Sequence, residues 1–411
     1  MNDATKTTDL KWRFSRSHSE DFKKCPRYYW LRYHEQGTGL QPKRLSLGLS
    51  KGSCVHAILQ TVLTYVRDEH RIPPPDALRN FINAHTDAFV QAAKERMFEG
   101  VEDNDTEREA LRQAALIEGM IRAWVKIRLP FIVANYDVVA VEEEREVALD
   151  EEGQIILMDR PDAELQHKES KLYAALELKT TSTDREQYFD SWRFATQTMG
   201  HILAMEAKYG EQKVGHVLME FMYSGTHRLD KMSGQTIYYS PLVRGCVLPE
   251  DPPLRPKATY SWIYKPGKGW RPFDVWDHDF SEAGVAKGMM PMWMTPVEYW
   301  VEHVLDNEII QQQLFTREIF RSDTEMQEWK EKVLSQQRRI QVGAQSAQDP
   351  DLKEQVMNWA FPGNKDESCY QNKYFRACEF LPICYRQIAG DPLESGLYEK
   401  REPHHEQEFE V

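Results

Sequence analysis

Long hydrophobic runs are missing from this sequence of 411 residues. A helix that spans a bilayer needs about 20 consecutive, mostly apolar residues, and no segment approaches that length. The first residues, MNDATKTTDLKW, also lack the apolar centre of a signal peptide. We therefore expect a soluble, cytoplasmic protein that has no membrane partner.

Positive charge is the second deficit. The chain has 52 Lys and Arg against 65 Asp and Glu, so its net charge is −13. A protein that coats nucleic acid is usually basic, and the charge does not favour that class. It is compatible with a nuclease, because a metal site needs carboxylates of its own and a local basic groove can lie within an acidic exterior.

Cysteine is also scarce, with six residues in the chain. A disulfide framework is not expected in an intracellular chain of this size. Cys369, Cys378 and Cys384 cluster near the C-terminus, which points to ligation of a metal or a cluster. Cys54 and Cys246 are interpreted as ordinary buried thiols.

What the sequence does have is the composition of a globular protein, with 41% hydrophobic and 28% charged residues. Helices are predicted at 76–98, 107–128, 194–205, 296–321 and 324–341, and strands at 138–142, 144–149, 154–158, 163–165, 173–179, 214–223, 236–239 and 259–264. This order predicts an α/β fold in which helices flank a mixed central sheet, followed by a helical, cysteine-bearing C-terminal segment.

The stretch from 159 to 179 carries the clearest chemical pattern. Glu177 and Lys179 are two apart on a predicted strand, so both side chains point to one face, and the apolar residues before and between them, Ala174, Leu176 and Leu178, point to the other. Asp162, after Pro161, begins the preceding strand at hairpin distance. A solvated strand face is the ordinary alternative for a Glu-x-Lys pattern. We hypothesise instead that this face binds a divalent metal and cleaves phosphodiesters.

The chemistry explains why these residue types suit that role. Mg²⁺ and Mn²⁺ prefer carboxylate and carbonyl oxygens, and they neutralise charge on a phosphoryl group. A lysine beside the carboxylates orients the attacking water or offsets charge in the transition state.

Two further residues flank this stretch in the chain. His56 lies on a predicted helix one turn after Gly52, with apolar residues at positions 55, 58, 59, 62 and 63. Gln197 begins the helix that follows the strand of Glu177. A lone histidine is more often structural than a ligand, so His56 indicates a metal site only in combination with the carboxylates, the lysine and the glutamine.

Gly52 and His56, then Asp162, then Glu177-Leu178-Lys179, then Gln197 form an order that resembles the PD-(D/E)XK nuclease superfamily. Within it, the chain is most similar to the RecB-like branch, which includes CRISPR-associated exonucleases, AddB-type helicase–nuclease subunits and phage recombination exonucleases. The resemblance implies a restriction-endonuclease-like core.

The resemblance also implies a role for each residue. The metal ligands are expected to be His56, Asp162, Glu177 and the carbonyl of Leu178. Lys179 is expected to be the catalytic lysine, and Gln197 to position the substrate or that lysine. The family often has a tyrosine four residues after the glutamine, where this chain has His201. His201 is expected to contact a phosphate, and Asp159 is interpreted as a bystander.

The cysteines provide a second resemblance, to RecB-like nucleases of the iron–sulfur type. These have one cysteine before the core and three after it, which here correspond to Cys25, Cys369, Cys378 and Cys384. The resemblance implies a 4Fe–4S cluster, which usually has four thiolate ligands. Zinc on the same thiolates is an alternative, and unrelated buried thiols are another.

The segment from Cys25 to Tyr33 is rich in arginine and aromatic residues. Arg27 and Tyr28 are expected to contact single-stranded DNA, because aromatic stacking on bases tolerates any sequence. The alternative is a packed amphipathic helix whose aromatic residues belong to the core.

The residues predict metal-dependent cleavage of phosphodiesters, and the resemblance implies more specifically a DNA exonuclease that acts at single-stranded ends in recombination, repair or phage DNA processing. The alternatives are a non-catalytic nucleic-acid-binding or assembly subunit of the same fold and an endonuclease. We expect a nuclease core at 14–250, an accessory region at 251–360 and a cluster segment at 361–390 that joins Cys25. The sequence does not identify which proteins are partners.

Overall fold

The computed structural model describes residues 11–44, 47–96, 106–181, 186–223, 314–366, 369, 377–388 and 390–402, and the backbone alone of the strands between 227 and 274. The helices are α1 Arg16–Lys24, α2 Pro26–Tyr33, α3 Leu47–Glu69, α4 Pro75–Arg96, α5 Thr106–Ile127, α6 Leu129–Asn135, α7 Glu186–Ser191, α8 Thr196–Tyr209, α9 Asp323–Ser346, α10 Pro350–Trp359 and α11 Leu381–Cys384. The strands are β1 Trp12–Ser15, β2 Leu40–Pro42, β3 Tyr136–Val141, β4 Arg145–Ala148, β5 Ile155–Asp159, β6 Ala163–His167, β7 Tyr173–Thr181, β8 Val214–Tyr223, β9 His227–Met232, β10 Gln235–Tyr239, β11 Cys246–Val247, β12 Thr259–Lys265, β13 Gly269–Asp274, β14 Leu314–Ile319 and β15 Tyr398–Lys400.

A five-stranded sheet with the order β14-β8-β7-β6-β3 forms the centre of the fold. Strands β7 and β8 are parallel, and the other neighbours are antiparallel. The predicted α/β fold with a mixed central sheet is therefore confirmed. Strand β7 lies in the middle of the sheet, so the Glu177–Lys179 pattern is on its most protected strand.

Helices cover both faces of this sheet. On one face, buried residues of α3 at helical spacing, such as Val55 and Ile58, pack against the apolar side of β7, which consists of Ala174, Leu176 and Leu178. On the other face, α7 and α8 pack over Ala175 and Met219 through Phe189 and Met205. The face of β7 that carries Glu177 is therefore covered by helices, and the alternative of a solvated strand face is wrong.

A second layer is built from both ends of the chain. Strand β1 pairs in parallel with β5, and β5 pairs with β4. Aromatic residues of β1 and α2 pack against α10 and the segment after it, and strand β2 pairs with β15. The guanidinium of Arg27 donates hydrogen bonds to the carbonyls of Phe361 (2.8 Å) and Met357 (2.7 Å). These contacts join the N-terminal helices to the C-terminal segment.

The predicted helix at 296–321 is wrong at its end, where residues 314–319 form strand β14; residues 296–313 lie outside the described part. The physical reason is the free edge of β8, with which β14 pairs, together with the contact of Phe315 with Phe189. The predicted strands at 236–239 and 259–264 correspond to β10 and β12, which belong to a separate antiparallel sheet of β9 to β13. Among the helices that the structure describes, none is long and apolar enough to cross a membrane.

Candidate active site

Asp162 lies at the start of β6, next to the centre of the sheet. Its Oδ1 accepts a hydrogen bond from Nδ1 of His56 at 2.7 Å, and its Oδ2 accepts one from the backbone N–H of Leu178 at 2.6 Å. Burial alone would lower the pKa of His56, but the charge of Asp162 and this hydrogen bond raise it. Helix α3, β6 and β7 thus bring together three residues that are far apart in the sequence.

Glu142 joins this group, although it was not predicted as a site residue. It follows β3 with a positive φ of 50°, and its backbone N–H donates to the Asp162 carbonyl at 3.2 Å. Ligand atoms of His56, Glu142 and Asp162 all lie within 4.8 Å of one another. Burial, followed by the charge of Asp162, raises the pKa of Glu142 to about 7, even though Nε of Arg160 lies 2.9 Å from Oε2 of Glu142.

Glu177 has a different set of partners. Its Oε1 accepts hydrogen bonds from Nζ of Lys179 and from Nε2 of Gln197. Burial would raise the pKa of Glu177, but Lys179 and His201 hold it well below its usual range. The Lys179 ammonium also lies 5.5 Å from the centre of the Trp192 ring, within the range of a cation–π contact. Among the described residues, Glu177 is not part of the group within 4.8 Å.

His201 connects Glu177 to Asp159. Its Nδ1 is 2.7 Å from Oδ2 of Asp159, and its Nε2 is 2.9 Å from Oε2 of Glu177. Because ionised carboxylates only accept hydrogen bonds, both ring nitrogens act as donors. Burial would lower the pKa of His201, but the charge and hydrogen bond of Asp159, with those of Glu177, raise it to about 10.

The residues predicted to contact nucleic acid are instead occupied within the protein. His201 is 1% exposed and Tyr28 is 7% exposed. The hydroxyl of Tyr28 donates to Glu379 at 2.8 Å, and its ring packs against Phe380. Arg27 is bound to the two carbonyls of the C-terminal segment described above. These three side chains hold parts of the fold together, and His201 would have to leave its two carboxylates to reach a phosphate.

The predicted cluster cysteines meet at the junction of the two chain ends. Cys25 lies between α1 and α2, and the backbone N–H of Cys378 donates to the carbonyl of Cys369 at 2.7 Å. All four thiols are free and partly exposed. Burial raises the pKa of Cys384 to about 11, and the charges of Cys378, Cys25 and Cys369 act in the same direction.

The donor set around Asp162 fits a divalent cation. Two carboxylates and one imidazole offer oxygen and nitrogen ligands, a combination suited to Mn²⁺ and compatible with Mg²⁺. Burial first, and then the charge of Asp162, raises the pKa of Glu142, and a bound cation would offset both effects. Gln197, whose Nε2 donates to Glu177, has a buried Oε1 without a hydrogen-bond donor in the described part of the chain.

A mixed sheet whose central strands hold carboxylates beside a lysine is an arrangement suited to metal-dependent hydrolysis of phosphodiesters. The chain matches the family model of the PD-(D/E)XK nuclease superfamily over residues 13–385 and belongs to that superfamily. Membership indicates a metal-dependent nuclease whose substrate is nucleic acid. Comparison with individual curated proteins gave no match.

Sequence reasoning missed Glu142 and set Asp159 aside. Glu142 is the first of three consecutive glutamates, so nothing in the sequence distinguishes it from Glu143 or Glu144. Asp159 is three residues before Asp162, but it ends a different strand in a different sheet. The sequence contained one indication of its role, the histidine at position 201 where relatives often have a tyrosine, since a buried imidazole needs partners.

Proposed function

We propose that the protein is a divalent-metal-dependent deoxyribonuclease that acts as an exonuclease on single-stranded ends in the cytoplasm. The observation that carries this proposal is the ion pair of Lys179 with Glu177 on the central strand, beside the Asp162 group. A retired site would have no reason to keep Asp162, Glu177 and Lys179, which argues against the non-catalytic alternative.

The proposed ligands of the cation are His56, Glu142, Asp162, Glu177 and the carbonyl of Leu178. When bound, the cation supplies positive charge that stabilises the negative charge developing on the phosphoryl group. The Leu178 N–H and His56 orient the Asp162 carboxylate. Lys179, held by Glu177 and Trp192, directs a positive charge to the reacting phosphate. The unpartnered Oε1 of Gln197 is an acceptor for the attacking water.

We further propose that Cys25, Cys369, Cys378 and Cys384 bind a 4Fe–4S cluster, with residues 361–390 as its segment, 14–250 as the nuclease core and 251–360 as an accessory region. Cys25, Cys378 and Cys384 pack against the same core at the junction of the two chain ends, which supports a shared ligand. Four thiolates are the usual ligands of a 4Fe–4S cluster, and zinc on the same thiolates is the alternative. Strand β14 shows that part of 251–360 also contributes to the core sheet.

The test is a nuclease assay with Mn²⁺ or Mg²⁺ on end-labelled linear and on circular single-stranded DNA. Wild type is expected to degrade linear strands and leave circles intact, and Lys179→Ala to lose this activity. Lys332→Ala, which removes an exposed lysine of α9, is the control and should act as wild type. Equal degradation by wild type and Lys179→Ala would contradict the proposal. Cleavage of circles would identify an endonuclease, and an inert but DNA-binding wild type would identify a binding subunit.

A further inference from the structure

A chain of buried hydrogen bonds runs from β5 through α8 to the central strand. It consists of Asp159, His201 and Glu177, which are 5%, 1% and 2% exposed. Asp159 ends β5, where it is paired with Arg145 of β4, so its backbone is fixed by a different sheet from that of Glu177. His201 lies one helical turn after Gln197 on α8, and both side chains reach the same carboxylate.

The three donors on Glu177 limit how it can bind a cation. A carboxylate has about four lone-pair sites. Lys179 and Gln197 occupy two on Oε1, and His201 occupies one on Oε2. The remaining site is on Oε2, the oxygen that His201 contacts. The position of the imidazole therefore sets the direction in which Glu177 can offer its free lone pair.

The surroundings of Asp159 leave little freedom for the pair to move. A Cβ on Gly200 would lie 3.0 Å from Oδ1 of Asp159 and 3.7 Å from its Cγ. The lack of a side chain at position 200 thus allows the close approach of α8 to Asp159. Removing an imidazole or carboxylate that hydrogen-bonds to a metal ligand, without contacting the metal itself, commonly lowers metal affinity or activity 10- to 100-fold.

We propose that Asp159 and His201 form a positioning pair that fixes the Glu177 carboxylate for cation binding, with Asp159 acting only through His201. This inference rests on the proposed metal-dependent function. It replaces the interpretation of Asp159 as a bystander and gives His201 a role other than phosphate contact.

The test compares substitutions of His201 that each retain one of the two hydrogen bonds of the imidazole. In His201→Gln the amide nitrogen takes the place of Nε2, which keeps the donor to Glu177 and loses the contact with Asp159. In His201→Asn the amide nitrogen takes the place of Nδ1, which keeps the contact with Asp159 and loses the donor to Glu177. These two variants are combined with Asp159→Asn. Mn²⁺ affinity is measured by calorimetry without DNA, alongside the melting temperature.

We expect Asp159→Asn and His201→Gln each to raise the Kd for Mn²⁺ about 10-fold, and the double variant to show the same increase as either one. His201→Asn should raise the Kd by about 100-fold, near the upper end of the range for such partners. Tyr209→Phe is the control, because it removes another hydrogen bond between α8 and a buried carboxylate, that of Glu164, and should leave the Kd unchanged. Multiplying effects of Asp159→Asn and His201→Gln, or equal losses for His201→Gln and His201→Asn, would overturn the proposal.

Gly200→Ala provides the test if Asp159→Asn fails to fold. It leaves every polar group in place and improves helix propensity, but it crowds Asp159. The Kd for Mn²⁺ should rise several-fold, and a wild-type Kd would overturn the proposal. The outcomes separate this inference from the nuclease function. Active protein that depends on Lys179 but is insensitive to Asp159→Asn refutes the pair alone. The expected Mn²⁺ pattern in a wild type that cleaves no DNA refutes the nuclease function alone.

Discussion

At the scale of single residues, the carboxylates of the site differ in how far neighbouring positive charges offset their negative charge. Glu177 has a lysine and an imidazole as partners, whereas Glu142 and Asp162 lie close together beside His56, and Arg160 pairs with Glu142. The pKa of Glu142 is raised to about 7 and that of Glu177 is lowered, and these opposite directions express that difference. The less compensated pair is where a cation gains most.

Replacing Glu142 tests whether it is a ligand. Glu142→Gln keeps the shape of the side chain but removes its charge, so we expect the Kd for Mn²⁺ to rise by at least about 10-fold. Calorimetry without DNA measures this change. Glu143→Gln is the matched control, because Glu143 is exposed and pairs with Arg145. Equal affinities for Glu142→Gln and wild type would remove Glu142 from the ligand set.

His216, on β8 away from the Asp162 group, should influence stability at acid pH. Burial lowers its pKa; Glu318 opposes this change and His167 adds to it. Its unfolded pKa is about 6.5. As the pH falls through this value, His216 takes up a proton in the unfolded chain more readily than in the folded protein. The contribution of neutral His216 to the free energy of unfolding is therefore present above pH 6.5 and is lost as the pH falls below it.

His216→Gln, which does not titrate, should therefore lose less stability than wild type between pH 7 and pH 5. Urea denaturation at each pH measures this difference. His70→Gln, at an exposed histidine, should follow wild type. The same loss in His216→Gln and wild type would show that His216 makes no such contribution.

At the scale of elements, β8 supports the catalytic strand from its parallel side. Glu220 on β8 is the register partner of Leu178, and it is fully buried. The Arg128 guanidinium, at the junction of α5 and α6, reaches its Oε1 at 2.7 Å and its Oε2 at 3.0 Å. This bidentate ion pair ties two helices to the strand beside the site.

Breaking that ion pair should destabilise the whole core. Arg128→Met leaves a buried carboxylate without its partner, which costs about 3–5 kcal/mol of unfolding free energy. Adding Glu220→Gln removes the unpaired charge and should recover a large part of the loss. Urea denaturation measures both variants. A cost of less than 1 kcal/mol for Arg128→Met would contradict the importance of this tie.

Local patterns predicted the elements that carry the site better than the contacts between them. The alternation in β7 and the helical spacing in α3 depend on neighbouring residues, so the β6–β7 hairpin and the position of His56 were accessible from sequence. The link of Asp159 to Glu177 joins two sheets through a helix, and no local period encodes it. Strand β14 was mistaken for helix because only the free edge of β8 selects the extended conformation.

At the scale of the whole molecule, the two chain ends form one layer. Aromatic residues of α2 pack against Phe361 and Phe380, and strand β2 pairs with β15. The proposed cluster cysteines lie at this junction, where Cys25, Cys378 and Cys384 contact the same core. Loss of the cluster should therefore loosen the connection between the two ends.

Cys378→Ser tests that connection. We expect loss of iron and of visible absorption, together with a lower melting temperature, because a metal or cluster that forms only in the folded state adds its binding free energy to folding. Cys54→Ser, at a buried cysteine outside the junction, should keep its iron. Wild-type protein that contains zinc without iron would refute the iron–sulfur cluster. An unchanged iron content in Cys378→Ser would show that Cys378 is not one of its ligands.

We propose that the group around Asp162 holds the divalent cation on which the nuclease depends. A crystal structure of the protein with Mn²⁺, in which anomalous scattering locates the ion, tests this directly. We predict a peak within bonding distance of Asp162 and of at least one of Glu142, His56 and Glu177. Absence of this peak in Asp162→Asn would support the assignment. A Mn²⁺ ion bound elsewhere in the wild-type protein, with no ion among His56, Glu142 and Asp162, would contradict the assignment.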